Sequence, residues 1–401
     1  MLQKIEILCR GNVAVERRDK EILVIGGGVT GAAIAYDLAL RGFKVQVVER
    51  GSLGAGTSGR THGLLHSGCR YIADVEVARE CYEENVILRR IAPFLFEKNG
   101  GLFIAITEDD LKYKDFFLKQ CERARIPVRE VSREEALRLE PNLNPELKAA
   151  VEVPDGTFDP LKVILSFAAS AKKYGAEFRP YNEVVGFRVS DGRIVGVRVL
   201  DKVRVREYEL TPDFIINATG AWADKVARLA GVRVPVKPSP GVMVALDGRI
   251  GYMVFNRLNK PGDGDIIVHH RGTSVVGTTS WVVEDPDIVR APQDHVELMI
   301  KRGSELAPIV SKLRVKAVYV SSRPLIGAGA ATTGREVSRS FAILDHSRDG
   351  IENFASIIGG KFTTARLMAE KMGDFVAERL GVSVRSKTSE LPMSPYWLYF
   401  E

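Results

Sequence analysis

The sequence predicts an α/β chain: a parallel-sheet domain carrying a β-meander, joined to a second, β-rich α+β domain. Three observations predict it. An apolar run at residues 22–25 leads into a glycine cluster and then a stretch of helix formers. Three alternating runs between residues 183 and 210 read as consecutive antiparallel strands. Residues 235–323 hold several short strand-like runs and one helical stretch. The size agrees: 401 residues suggest two to three domains at roughly 150 residues each, and 45% apolar composition excludes a disordered chain.

The charge balance is mildly basic. Lys+Arg 57 against Asp+Glu 51 gives a net charge of +6. The balance reads as a mildly basic surface or as a sign of an anionic partner such as phosphate or anionic lipid; the basic residues are scattered without a dense run, which argues against nucleic acid. Cysteines stand at 9, 69, 81 and 121, and none forms C-x-x-C, so no metal centre and no iron–sulfur cluster is expected. The thiols read as reduced, which fits a cytoplasmic chain. No run approaches 18 apolar residues, so no membrane-spanning helix is expected. Residues 1–19 make a poor signal peptide and are expected to form an extra strand or arm.

The first element is the most specific. After the strand at 22–25, Gly26, Gly28 and Gly31 match G-x-G-x-x-G, with Thr30 inside the motif. The first glycine permits the tight turn, the second lets the backbone approach a pyrophosphate, and the third lets helix and strand pack closely. A helix follows to residue 41, Gly42 ends it, and residues 43–48 form a second strand closed by Glu49 and Arg50. Glu49, 18 residues past Gly31, is placed to accept from a ribose hydroxyl. This is a Rossmann-like unit for NAD or FAD, and the motif by itself does not choose between them. A second cluster of small and hydroxyl residues, with Gly56, Thr57, Ser58 and Arg60, follows where a longer cofactor would run.

Further along, the spacing predicts helices over 78–92 and 161–174, a strand at 101–106, and a helix start at Thr107 with Asp110 as its third residue. Asp191-Gly192 marks a hairpin turn within the meander. A buried strand at 213–217 ends in Ala218-Thr219-Gly220, followed by Trp222. Residues 292–306 read as a helix. A strand at 354–358 leads into Gly359-Gly360-Lys361-Phe362-Thr363 and a helix from about 363 to 380.

The stretches GGGVTGAAIAYDLALRGFKVQVVER and GTSGRTHGLLHSGCRY resemble the FAD-dependent glycerol-3-phosphate dehydrogenases of the D-amino-acid-oxidase-like flavoproteins, and the resemblance runs from about residue 21 to about 380. It implies the two-dinucleotide fold and non-covalent FAD. The cofactor would be held by Gly26, Gly28, Thr30, Gly31, Glu49, Arg50, Gly56, Thr57, Ser58, Arg60, Leu64 and His66. Val185 would lie near the adenine. Ala218, Thr219, Gly220, Trp222, Gly327, Gly359, Gly360, Lys361, Phe362 and Thr363 would complete the site. It also implies a discontinuous FAD-binding domain over 20–90, 150–234 and 340–385, and a substrate domain over 91–149 and 235–339. The aromatic tail, 386–401, reads either as a docking element for a partner or bilayer surface or as a strand completing the fold. A helix N-terminus and Lys361 beside the pyrimidine edge of a flavin would stabilise its reduced, anionic form.

A phosphate dianion wants two or three cations, whereas a carboxylate needs one bidentate arginine. Arg70, Arg323 and Arg339 all sit in glycine- or serine-rich turns. They match the family's HxGxRY, RPL and SR elements, and the resemblance implies that they hold substrate together with Lys361, with Tyr71 donating a hydrogen bond. His66 is the candidate proton acceptor, with His269 and His270 as rivals. Cys69 stands beside Arg70, where a flavin thioether is conceivable; family members usually carry a small apolar residue there.

The implied reaction is oxidation of sn-glycerol 3-phosphate to dihydroxyacetone phosphate, with hydride passing from C2 to flavin N5. The alternatives are an amino-acid or 2-hydroxy-acid oxidase or dehydrogenase of the same superfamily, and a glycerol-3-phosphate oxidase using oxygen. RTHGLLHSGCRY and GREVSRSFAILDHSRDG are similar to the FAD-bearing A chain of the anaerobic respiratory enzymes. That resemblance implies an electron-accepting flavoprotein or iron–sulfur subunit or a quinone-linked chain, a place at the inner face of the membrane without a transmembrane segment, and a possible homo-oligomer. The bacterial A chain has a further cysteine-bearing C-terminal domain with no counterpart in these 401 residues. Electrons are therefore expected to leave through a separate subunit, through a soluble carrier or to oxygen.

Overall fold

The computed structural model describes residues 16–287, 289–327 and 340–401. Most of the expected N-terminal arm, and Arg339, lie outside them.

Strand Glu21–Ile25 is buried on both faces, which is why it reads as a continuous apolar run. Ile22 and Val24 enter a layer shared by helices Val29–Leu40, Pro160–Lys173 and Ala365–Arg379; Leu23 and Ile25 meet the meander. The strand lies within a six-stranded sheet, ordered Phe341–Asp345, Phe354–Gly359, Phe214–Asn217, Glu21–Ile25, Lys44–Glu49, Glu177–Pro180. All neighbours pair parallel except Phe341–Asp345, which runs antiparallel at one edge.

The meander comprises Asn182–Ser190, Arg193–Asp201 and Arg206–Leu210. Asp191 and Gly192 both have positive φ, 48° and 71°, the conformation that a two-residue hairpin turn requires.

A second sheet has eight strands, ordered Val315–Ile326, Val236–Asp247, Thr273–Gly277, Ile266–His270, Val254–Arg257, Gly101–Ala105, Ala149–Val153, Arg129–Val131. Helix Gln293–Leu306 packs on one face through Met299 and Leu306; helix Glu108–Arg123 packs on the other through Phe117 and Cys121. The expected start at Thr107 is a full capping box with Asp110. A small sheet of Leu64–Leu65, Gly156–Phe158 and Phe96–Glu97 carries the chain between the two larger sheets.

Two sequence-based expectations change. Residues from 150 onward are expected in the first domain, but Ala149–Val153 pairs antiparallel with Gly101–Ala105 in the second sheet. Its short apolar pattern suits either sheet, and only the long-range partner chooses. The tail is not a strand. Met393 is buried in the first core, its N–H donates to Ile91 O at 2.9 Å, and Ser394 N–H donates to Ser170 Oγ at 2.8 Å. Tyr396–Phe400 is a 3₁₀ turn against helix Pro160–Lys173.

A buried arginine ties these parts together. Arg41, at the end of the first helix, pairs with Asp37 one turn back and donates to Val384 O at 2.6 Å, Glu370 O at 3.1 Å and Asp374 Oδ1 at 2.8 Å. The Ser386 hydroxyl also donates to Asp37. Removing one partner of a buried pair leaves an uncompensated charge. Asp37→Ala is therefore expected to cost about 3 kcal/mol of stability, read as a fall in the urea midpoint without change of slope.

Candidate active site

The turn between strand Glu21–Ile25 and helix Val29–Leu40 has almost no spare room. A Cβ on residue 31 would lie 1.9 Å from the Gly26 carbonyl oxygen, and Gly26 itself has φ of 110° and abuts Ala218 O. These contacts clamp the helix onto the strand. The helix begins at Gly28, which has no side chain to cap it, and a Cβ there would meet only Ser58. Ser58 Oγ accepts from the first helical N–H, that of Val29, at 3.1 Å, and the positive end of the helix dipole faces the space beyond, where an anion is favoured.

This turn opens into a cleft of about 1790 Å³. That exceeds the roughly 300–1,000 Å³ of a pocket for one small ligand and suits a dinucleotide plus a substrate. Gly26, Gly28, Thr30, Glu49, Arg50, Gly56, Thr57, Ser58, Arg60 and Leu64 line it. So do His66, Arg70, Tyr71, Val185, Ala218, Thr219, Gly220, Trp222, Arg323, Gly359, Gly360, Lys361 and Phe362. Three expected cofactor residues are not on its wall. Gly31 acts by permitting the helix contact. Gly327 lies beside Lys237, with its N–H on Pro235 O at 2.7 Å. Thr363 is buried behind the wall, where its hydroxyl oxygen accepts from His66 N–H at 3.3 Å.

Along the nucleotide arm, Glu49 accepts from Gly27 N–H at 2.7 Å and Gly51 N–H at 2.8 Å. A carboxylate has about four acceptor sites, so it keeps capacity for a ribose hydroxyl. Ser58 Oγ accepts from Val29 N–H at 3.1 Å, and Thr57 donates to Ser322 O at 2.5 Å. Asn217 holds the following turn by accepting from Thr219 Oγ1 at 2.6 Å and donating to Ala223 O at 2.8 Å. Glycine turns, a helix N-terminus facing the cleft and an acid in the wall together fit a dinucleotide cofactor.

The other arm is built from distant segments. His66 Nε2 is 3.5 Å from Tyr71 Oη, and Lys361 Nζ lies over the Tyr71 ring, 5.0 Å from its centroid. Arg323 is held by Ser239 O, Pro240 O, Thr279 O and Thr278 Oγ1 at 2.8–3.2 Å. Arg70 donates to Gly262 O at 3.2 Å and lies 3.8 Å from Asp265, so its charge is partly compensated.

The rival histidines leave the cleft wall. His269 is fully buried against Phe255, ring centroids 4.7 Å apart, with Nδ1 2.9 Å from Ser274 Oγ. His270 donates from Nε2 to His62 O at 2.6 Å. Cys69 faces Cys121, with sulfurs 3.8 Å apart beneath the turn, and does not line the cleft. Among the described residues, no group of three His, Cys, Asp or Glu is arranged to hold a metal ion.

Sequence reasoning missed His62, Lys260, Lys225 and Asp287, all of which line the cleft. His62 stands four residues before His66 in a glycine-punctuated turn, and that spacing was the available signal. Burial, then Arg70, His270 and Arg323, pushes its imidazole down to about 3. It is neutral at ordinary pH, with Nδ1 accepting from Leu64 N–H at 3.3 Å.

A family model described as FAD dependent oxidoreductase matches residues 21–374. The chain belongs to this family, and FAD is its cofactor. It is 42% identical over 391 residues to the A1 polypeptide of the anaerobic glycerol-3-phosphate dehydrogenase of Haloferax volcanii, covering 94% of this chain and 67% of that protein. It is 40% identical over 382 residues to the A polypeptide of the anaerobic glycerol-3-phosphate dehydrogenase of Escherichia coli K12, covering 94% and 70%. The FAD-complexed glycerol-3-phosphate dehydrogenase structure from Bacillus halodurans shares the fold, with TM-score 0.70 and 23% identity over 98% of this chain and 70% of that one.

Burial holds His269 down to about 3, as it does His62. An unfolded histidine binds its proton near pH 6.5, so below that pH the unfolded state takes up protons that the folded state refuses. Stability is therefore expected to fall from about pH 6.5 to about pH 4. Urea midpoints across that range check this, and His269→Gln is expected to flatten the slope.

Proposed function

We propose that this chain oxidises sn-glycerol 3-phosphate to dihydroxyacetone phosphate. The observation that carries the reading is the convergence of Arg323, Lys361 and Arg70 with His66 in one cleft. Several cations around one small volume suit a phosphate dianion better than a carboxylate. The identity to the A polypeptides of glycerol-3-phosphate dehydrogenases supports the same substrate.

The roles follow from chemistry. Bound FAD supplies the hydride acceptor. Arg323, its guanidinium braced by backbone carbonyls, receives the phosphate with little reorientation. Arg70 adds a weaker contribution because Asp265 shares its charge. Lys361, over the Tyr71 ring, would supply a further cation between the phosphate and bound FAD. His66 takes the C2 hydroxyl proton at Nε2, and Tyr71 orients that ring from 3.5 Å. Arg339, from the segment outside the described residues, is assigned to the same phosphate.

The relatives are named as one polypeptide of a multi-subunit enzyme, which supports a partner polypeptide as the electron acceptor of this chain. Among the described residues no helix is long and apolar enough to cross a membrane.

The test is an anaerobic titration of the FAD-loaded protein. sn-Glycerol 3-phosphate is expected to bleach the flavin band, while glycerol and glycine leave it unchanged; bleaching by glycine instead would sink the reading. Arg323→Met is expected to raise KM roughly 100-fold, since loss of a hydrogen-bonded charge partner costs about 2–5 kcal/mol.

A further inference from the structure

Residues 284–287 lie in the connection between strand Thr273–Gly277 and helix Gln293–Leu306, both elements of the second domain. Two carboxylates of this connection reach across to the first domain. Asp287 Oδ1 accepts from Trp222 Nε1 at 2.7 Å and from Arg50 Nη2 at 2.8 Å. Asp287 Oδ2 accepts from Lys225 Nζ at 2.8 Å, and Asp285 Oδ1 accepts from the same ammonium at 2.6 Å. The Arg50 guanidinium also stacks on the Trp222 ring, 4.6 Å from its centroid.

The donors come from two turns of the nucleotide arm. Arg50 directly follows Glu49; Trp222 and Lys225 directly follow the Ala218–Gly220 turn. Arg50, Trp222, Lys225, Pro286 and Asp287 all line the cleft. One carboxylate thus gathers an indole N–H, a guanidinium and an ammonium across the gap between the two domains.

We propose that Asp287 is a positioning residue for the cofactor: it fixes Arg50 and Trp222 on the nucleotide arm and straps the second domain's loop across that arm, so that FAD is released only when the strap opens. The proposal rests on the reading that FAD lies in this cleft. The charged side chains are 39–44% exposed, so each pair is individually weak and screened by salt. Their sharing of one carboxylate makes a network that closes reversibly. Its donors hold Asp287 well below the usual carboxylate range.

The experiment follows FAD release from holoprotein by the rise in flavin fluorescence, at low and high sodium chloride. Wild-type protein is expected to release FAD faster at high salt. Asp287→Ala is expected to release it roughly tenfold faster at low salt and to lose most of the salt dependence, a loss in keeping with one hydrogen bond plus a surface ion-pair network. Asp287→Asn keeps an acceptor for Trp222 and is expected to fall between the two. Equal thermal midpoints of the apoproteins separate cofactor retention from folding. If Asp287→Ala does not fold, Lys225→Met serves in its place, with release about threefold faster. A wild type that binds FAD while these variants release it no faster overturns the strap alone. A wild type that takes up no FAD overturns the cleft reading and the strap with it.

Discussion

The contact between residue 31 and the Gly26 carbonyl sets the geometry of everything around it. With no Cβ in the way, the first helix rests directly on the first strand and its N-terminus faces the cleft. The neighbouring strands are parallel, so their carboxyl ends emerge at the same edge of the sheet. Gly26, the Ala218–Gly220 turn and the Gly359–Lys361 turn therefore open into one crevice, although more than 300 residues separate the first from the last. A parallel sheet concentrates ligand contacts at that edge because each strand hands over to a turn there.

The second domain supplies what that edge lacks. Its strand Val315–Ile326 presents Arg323, and its backbone carbonyls fix the guanidinium. The small sheet around Leu64–Leu65 carries His62, His66, Arg70 and Tyr71 between the two halves. Arg70 also has a buried carboxylate nearby, Asp265 at 3.8 Å.

Much of the architecture was readable in local pattern. The buried strand, the glycine turn, the Asp191-Gly192 hairpin and the Thr107 capping box each depend on neighbours within a few residues. Ala149–Val153 was not, because so short a run, Ala-Ala-Val-Glu-Val, fits either sheet. Nor was the tail, because its aromatic residues pack on helix Pro160–Lys173, more than 200 positions earlier. His269 and His270 look like alternatives to His66 because strand alternation says that one faces inward, but not toward what. The inward one faces Phe255.

The sequence by itself determined the local conformations: where glycine is required, where helices begin, and which strand is buried on both faces. Those follow from sterics and hydrogen bonding between near neighbours, which a linear pattern records. Only the tertiary structure decided which charges meet. Arg50, the Trp222–Lys225 turn and Asp287 are far apart in the chain, and so are Arg70 and Asp265. Coulombic and hydrogen-bond energies depend on distance in space, and that distance is set by how two sheets and their connections pack.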